Sequence, residues 1–393
     1  MEESRRYEVR ESTTPDPPYR LHAPDGRVVE PVSDYLQELL ACDCSPATVK
    51  AYVYALLDWF RFLDTVGIAW QEARSTHVRA YVLQLRGAEN PYRRRQRPDS
   101  PAPGVVNPRT GKPSLAAGYQ PATINQRLSV VKGYYAYHGG CGIGPRQNPV
   151  PGSGDARRNA HHPPDDPWLP VRRAPYRQKQ PAAPPRAISD ELWAAVFGCL
   201  TSNRDRAIFS LLLSAGCRAG ELLQLTDQDV DWGRQCVRLI SKGSREAQWV
   251  AASPDACHWL RRWVVDRGAV PAGEPLWWTL RHPRRPLAYQ ALRKILMRVN
   301  QQLGTNLVLH DFRHTCALRL ASDPQVPLIY VQAHLRHRHL ATTQRYLRAR
   351  DEEVIASVQA HQRGDREAPP PGDVWHYDAD DLAVLLGREE RPV

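Results

Sequence analysis

Between residues 45 and 67 the apolar positions Val49, Val53, Leu56, Phe60 and Leu63 recur at three- and four-residue intervals, the period that lines one face of an α-helix. Ser45 followed by Pro46 supplies an N-cap and a first helical residue, and Gly67 stands just past the last periodic position. The spacing therefore predicts a helix from 46 to shortly before 67. The same period predicts helices over 75–86 and 123–138. In the second of these, Ile124, Leu128, Val131 and Tyr135 share a face and Gly139-Gly140 ends the run. Further helices are expected over 189–201, 204–214, 254–267, 289–303, 310–321 and 327–334; Ser189 opens the first, with Asp190 and Glu191 in its first turn, where the helix dipole favours acids. Residues 236–240 and 248–252 read instead as short strands around a Lys242-Gly243-Ser244 turn. The fold class expected is mainly α with a small β-sheet.

Between these stretches the composition shifts. Residues 90–120 have loop composition and are rich in Pro, Gly and Arg. So long a loop in a compact domain is usually functional; on a nucleic-acid-binding module it is a candidate phosphate contact. Residues 146–186 are rich in Pro and basic residues, among them Arg157, Arg158, Arg172 and Arg173. Such a segment cannot build a core and reads as a linker between two bodies. The organisation expected is a loosely held arm over 1–30, a helical domain over 31–145, a basic linker over 146–186, a second domain over 187–362 and an acidic tail over 363–393.

Charge narrows the partner. The chain of 393 residues carries a net +11, yet residues 351–393 alone carry −7; setting that −7 aside leaves +18 on residues 1–350. A body that basic favours a polyanion. No stretch approaches the roughly twenty apolar residues of a membrane span, and the polar start lacks a signal-peptide core. A soluble, cytoplasmic protein is expected. The eight cysteines form no Cys-x-x-Cys pair and, with Cys42-Asp-Cys44 the one close pair, read as reduced thiols without a zinc site. Gly216 and Gly220 bracket an arginine and form no nucleotide-binding loop, so ATP use is not expected.

The residues with chemistry cluster late in the chain. In Leu309 to Thr315 (LHDFRHT), His310 and Arg313 lie one helical turn apart. In Gln332 to Tyr346 (QAHLRHRHLATTQRY), His337 precedes Tyr346 by nine residues, with Thr342 and Thr343 between. Upstream, SAGCRAGELLQL holds Arg218 and Glu221. Two arginines, two histidines and a phenol can handle a phosphodiester with a protein nucleophile. Arginine's planar fork donates twice to nonbridging oxygens and stays charged. A phenol, with a pKa of about 10, needs a base or a strongly positive setting to attack at neutral pH.

This order and spacing resembles the tyrosine recombinase (phage integrase) family, at motif level over 187–350 and more loosely over 31–145. The resemblance implies Arg218 and Arg313 as phosphate clamps, with Glu221 bracing the first. It implies His310 as general acid/base, Lys242 as the hairpin lysine that protonates the leaving oxygen, His337 as a donor to the phosphate, and Tyr346 as the nucleophile. It further implies a two-domain clamp on double-stranded DNA, with a SAM-like helical core-binding domain ahead of an α+β catalytic domain. Strand exchange would run through a 3′-phosphotyrosyl intermediate in a homo-tetramer on paired sites at the nucleoid, with no metal or nucleotide cofactor and with accessory recombination factors as further candidate partners. The element served could be a phage, a transposon or the chromosome. One departure is Leu335-Arg336-His337, where the family usually has Leu-Gly-His; glycine there allows a tight turn. Two other readings stand beside this one: a type IB topoisomerase, which shares the chemistry but relaxes DNA as a monomer, and a DNA-binding protein that has lost catalysis.

Overall fold

A computed structural model describes residues 6–12, 16–91, 101–152, 174–180, 186–241, 245–323, 325–337 and 351–363. The chain forms two compact units, one comprising residues 1–183 with 300–306, the other 184–299 with 307–393.

The first unit opens with a two-stranded antiparallel ribbon, β1 (Glu8–Glu11) and β2 (Tyr19–His22), in which Val9 faces Leu21. Helices α1 (Glu30–Ala41), α2 (Pro46–Thr65), α3 (Ser75–Gly87) and α4 (Pro121–Gly140) follow. Helix α2 starts as its sequence dictates, with the Ser45 hydroxyl accepting from the Thr48 amide and Pro46 in the first turn. Its periodic residues Val49, Val53, Leu56, Phe60 and Leu63 are all buried, facing Ile124, Leu128 and Val131 of α4 in one core. One polar chain runs through that core: the Trp59 indole donates to the Tyr135 hydroxyl (3.1 Å), which donates to the Trp70 carbonyl (2.9 Å). The expectation of a loosely held arm at the start of the chain is corrected here. Leu21 is fully buried in the core, and Arg61 donates through Nη2 (2.6 Å) and Nε (3.0 Å) to the Tyr7 carbonyl. A few scattered apolar contacts and a side-chain-to-backbone tie leave no periodic trace in a polar stretch. Within the expected linker, residues 174–180 lie on α4: Gln178 donates its amide to Asn125 Oδ1 (2.7 Å) and accepts from Asn125 Nδ2 (3.0 Å). Arg177 donates to the Ser129 hydroxyl (2.8 Å).

The second unit contains α5 (Asp190–Gly198), α6 (Asn203–Ser214), α7 (Ala219–Leu223), α8 (Pro254–Arg267), α9 (Tyr289–Leu303, whose last residues count with the first unit), α10 (Leu309–Ala321), α11 (Leu328–Leu335) and α12 (Asp351–Arg363). Strands β3 (Val230–Asp231), β4 (Cys236–Ile240) and β5 (Ala247–Ala251) form a three-stranded antiparallel sheet. Alternation puts Val237, Leu239 and Val250 on its buried face. Helix α6 is central and packs on α8 and α10, with Ile208, Phe209, Leu211 and Leu212 fully buried. Trp277 is fully buried too, its indole donating to the Leu222 carbonyl (2.7 Å); this anchors the short α7. No helix among the described residues is long and apolar enough to cross a membrane.

Candidate active site

Three turns meet where α6, α10 and α11 converge. The first follows α6. Gly216 adopts φ +55, the left-handed conformation that commonly ends a helix. A Cβ at this position would stand 2.9 Å from Leu335 Cδ2 and 3.0 Å from Cys316 Sγ, so glycine is required by both backbone and space. The turn delivers Arg218 to the start of α7. There Glu221 accepts from the Arg218 amide through Oε2 (2.8 Å) and from its Nη1 through Oε1 (2.5 Å). The Arg218 side chain remains 38% exposed, so its fork still reaches solvent.

The second turn is the start of α10. Asp311 Oδ2 caps the helix by accepting from the Val308 amide (2.8 Å). His310, in the first turn, is exposed, with its ring edge-on to His314 at 4.4 Å. Arg313, one turn on, is only 2% exposed. It donates to the Gly216 carbonyl (2.6 Å) and to the Leu335 carbonyl, joining the end of α6 to the end of α11. Burial, then the charges of Arg218 and Arg336, push its guanidinium down to about 10, so it stays charged near neutrality.

The third turn ends α11. The Arg336 amide donates to Ala333 O (3.0 Å) and the His337 amide to Gln332 O (3.1 Å), the paired closure of a Schellman motif. The position that glycine ordinarily fills in that motif is Arg336, at φ 54 and ψ 46. Its guanidinium donates to Glu221 Oε2 (2.8 Å) and to the His334 carbonyl (2.8 Å). Burial would raise the Glu221 carboxyl; the Arg336 charge and the bonds from Arg218 outweigh it and hold the group below the ordinary carboxylate value. His337 is pushed down to about 4 by burial and by the charges of Arg313, Arg218, Arg336 and His310. It is therefore a neutral imidazole at pH 7, able to donate one hydrogen bond without adding charge.

Arg218, Glu221, His310, Arg313 and His337 thus come together from three separate segments of the sequence. Lys242, Tyr346 and the linker arginines Arg157, Arg158, Arg172 and Arg173 lie outside the described residues. The neighbouring His334 has another place: its Nε2 lies 3.2 Å from the Ser214 carbonyl, partly buried beside Cys316. Sequence reasoning missed two residues. Gly216 could have been suspected from a glycine just past a helix end; Arg336 showed only as a departure, and no local signal marks its partner, 115 residues away. Among the described residues, no three His, Cys, Asp or Glu side chains gather in a way that would hold a metal ion. Three guanidiniums around one carboxylate leave a net positive pocket suited to an oxyanion.

The chain resembles known proteins over both of its units. The profile of the phage integrase family matches residues 191–353, and that of the phage integrase N-terminal SAM-like domain matches 32–95. The tyrosine recombinase XerC of Chromobacterium violaceum is 30% identical over 203 residues, 50% of this chain and 67% of the relative. XerC of Corynebacterium efficiens is 34% identical over 163 residues, 41% of this chain and 52% of the relative. The chain spans about half to two thirds of the length of the curated relatives it matches. Among solved structures, the XerH site-specific recombinase bound to palindromic difH substrate gives a TM-score of 0.56 at 14% identity, over 85% of this chain and 89% of that one. The Tn1549 transposon integrase with circular intermediate DNA gives 0.54 at 16% identity, over 84% and 98%. At such identity these two speak to the fold alone: a SAM-like helical domain followed by an α+β catalytic domain. The chain belongs to the tyrosine recombinase, or phage integrase, family.

Proposed function

We propose that this chain is a site-specific recombinase that cuts and rejoins duplex DNA through a covalent phosphotyrosine. The Tyr346 phenolic oxygen attacks the scissile phosphorus while His310 takes its proton. The bond to the 5′-oxygen breaks, and Lys242 protonates that leaving oxygen. Arg218 and Arg313 donate to the nonbridging oxygens, where negative charge builds in the transition state; preorganised donors of this kind each contribute about 2.7–4 kcal/mol. Neutral His337 adds a further donor. The phosphotyrosyl ester keeps the energy of the broken bond, so attack by a new 5′-hydroxyl reseals the strand without ATP.

One observation carries this reading. Arg313 is buried and tied by hydrogen bonds to both the turn that presents Arg218 and the turn that presents His337, inside the segment that matches the family profile. In the same proposal the helical first unit grips duplex DNA, the segment 146–186 contacts phosphate through Arg157, Arg158, Arg172 and Arg173, and four copies assemble on two sites at the nucleoid. The XerH recombinase is bound to its palindromic difH substrate and the Tn1549 integrase to circular intermediate DNA, which supports the choice of partner.

The test uses a supercoiled plasmid carrying two copies of the DNA that flanks the gene. Recombinant junctions that require Tyr346 are expected. Relaxation without junctions would favour topoisomerase action, and binding without a detergent-resistant adduct would favour an inactive DNA-binding protein.

A further inference from the structure

Arg336 is not explained as a stability device. A non-glycine residue in the left-handed region costs roughly 1–2 kcal/mol. Burying two opposite charges as a pair gives about as much as an apolar pair would, or less. The Arg336–Glu221 pair is buried on both sides, at 2% and 3% side-chain exposure, and the Arg336 Nε is buried without a hydrogen-bond partner. Glycine would remove the backbone cost and the orphaned donor together.

What arginine adds is position. Its two terminal nitrogens reach the His334 carbonyl, two residues back, and Glu221 Oε2. Glu221 Oε1 is left to Arg218, at 2.5 Å. Glu221 is thereby clamped between two guanidiniums, and the turn carrying His337 is fastened to the turn carrying Arg218. With Arg336 sharing the carboxylate, the Arg218 charge is less neutralised towards the exposed side.

We infer that Arg336 is a positioning residue for the proposed cleavage site, bracing Glu221 so that Arg218 and His337 are held in fixed relation. This rests on the recombinase reading above and deepens it. Arg336 touches no reacting atom; it acts through Glu221 and through its own backbone turn.

Three variants of the full-length protein test it: Arg336→Gly, Arg336→Lys and Arg336→Gly combined with Glu221→Gln. Arg336→Gly should fold, because glycine suits the turn. Its single-turnover cleavage of a nicked duplex at saturating protein should fall at least tenfold, with DNA affinity within threefold of the parent. Arg336→Lys should recover part of the rate. The double variant should lose no more than the worse of its two single variants, since both act on one contact. Independently of activity, histidine-labelled free protein should show the His337 midpoint rising in Arg336→Gly towards the ordinary value of about 6.5; among the described residues, the charges acting on that ring are those of Arg313, Arg218, Arg336 itself and His310. Parental rate per folded molecule with an unmoved His337 midpoint, whatever happens to the melting temperature, would overturn the inference. If the parent protein itself forms no adduct, the recombinase reading fails, while the His337 titration still decides whether Arg336 governs this site.

Discussion

Two glycines flank Arg218, and the structure assigns them opposite fates when each is changed to alanine. At Gly216 the new methyl meets Leu335 Cδ2 at 2.9 Å and Cys316 Sγ at 3.0 Å, in a backbone with φ +55. The left-handed conformation costs alanine roughly 1–2 kcal/mol, and overpacking of this type typically adds about 1–3 kcal/mol. Together the loss is about 2–5 kcal/mol. For a domain of this size each kcal/mol moves the midpoint by about 2–4 °C, so Gly216→Ala should melt about 4–20 °C lower. Gly220 has nothing within 4 Å and no positive φ, and it lies in α7. Alanine there should be neutral or more stable by up to about 1 kcal/mol. Scanning calorimetry of the two DNA-free variants measures the difference. Gly216→Ala should also slow cleavage at temperatures where it remains folded, because the Gly216 carbonyl holds Arg313 at 2.6 Å. Equal midpoints for the two variants, or a parental Gly216→Ala, would refute the packing described at this turn.

Three further outcomes follow from the site. His337 has a folded midpoint of about 4, below the unfolded value of about 6.5. Between these the unfolded chain takes up protons that the folded chain refuses, so stability should fall as pH drops through that window; denaturation curves from pH 7 to 4.5 should show a shallower loss in His337→Gln, and parallel curves would contradict the assignment. Arg218→Ala should slow single-turnover cleavage by roughly a hundredfold or more, with Arg218→Lys recovering little because it lacks the planar fork; near-parental cleavage by the alanine variant would make Arg218 structural. Lys242→Ala should impair an ordinary site far more than one with a 5′-bridging phosphorothiolate, whose sulfur leaves without a proton, and equal losses on both substrates would remove the general-acid role.

Much of the fold was legible because local signals and burial agreed. Ser45-Pro46 and the five apolar positions after it define α2 without tertiary information, and 254–267 and 289–303 coincide with α8 and α9. Elements that rely on distant partners were not legible. The β1–β2 ribbon depends on a few scattered apolar contacts, α1 passed without notice, and α7 is five residues held by a tryptophan donated from a remote loop. At the site, residue identity could be read from spacing but environment could not. His310 and Arg313 share a turn of one helix, yet one is exposed and the other buried. The depressed His337 midpoint arises from charges on three separate segments, and Arg336 acquires meaning only once Glu221 is found beside it.

The central claim is that Tyr346 becomes covalently joined to DNA in a site built from Arg218, Arg313 and His337. A nicked duplex carrying the native flanking sequence should trap that linkage, since the short strand released by cleavage diffuses away before it can reseal. Protease digestion and mass spectrometry of the trapped adduct should then find a nucleotide on the peptide containing Tyr346, with the adduct absent from Tyr346→Phe although DNA binding stays within a few-fold of the parent. A nucleotide on any other residue, or an adduct that survives Tyr346→Phe, would contradict the account.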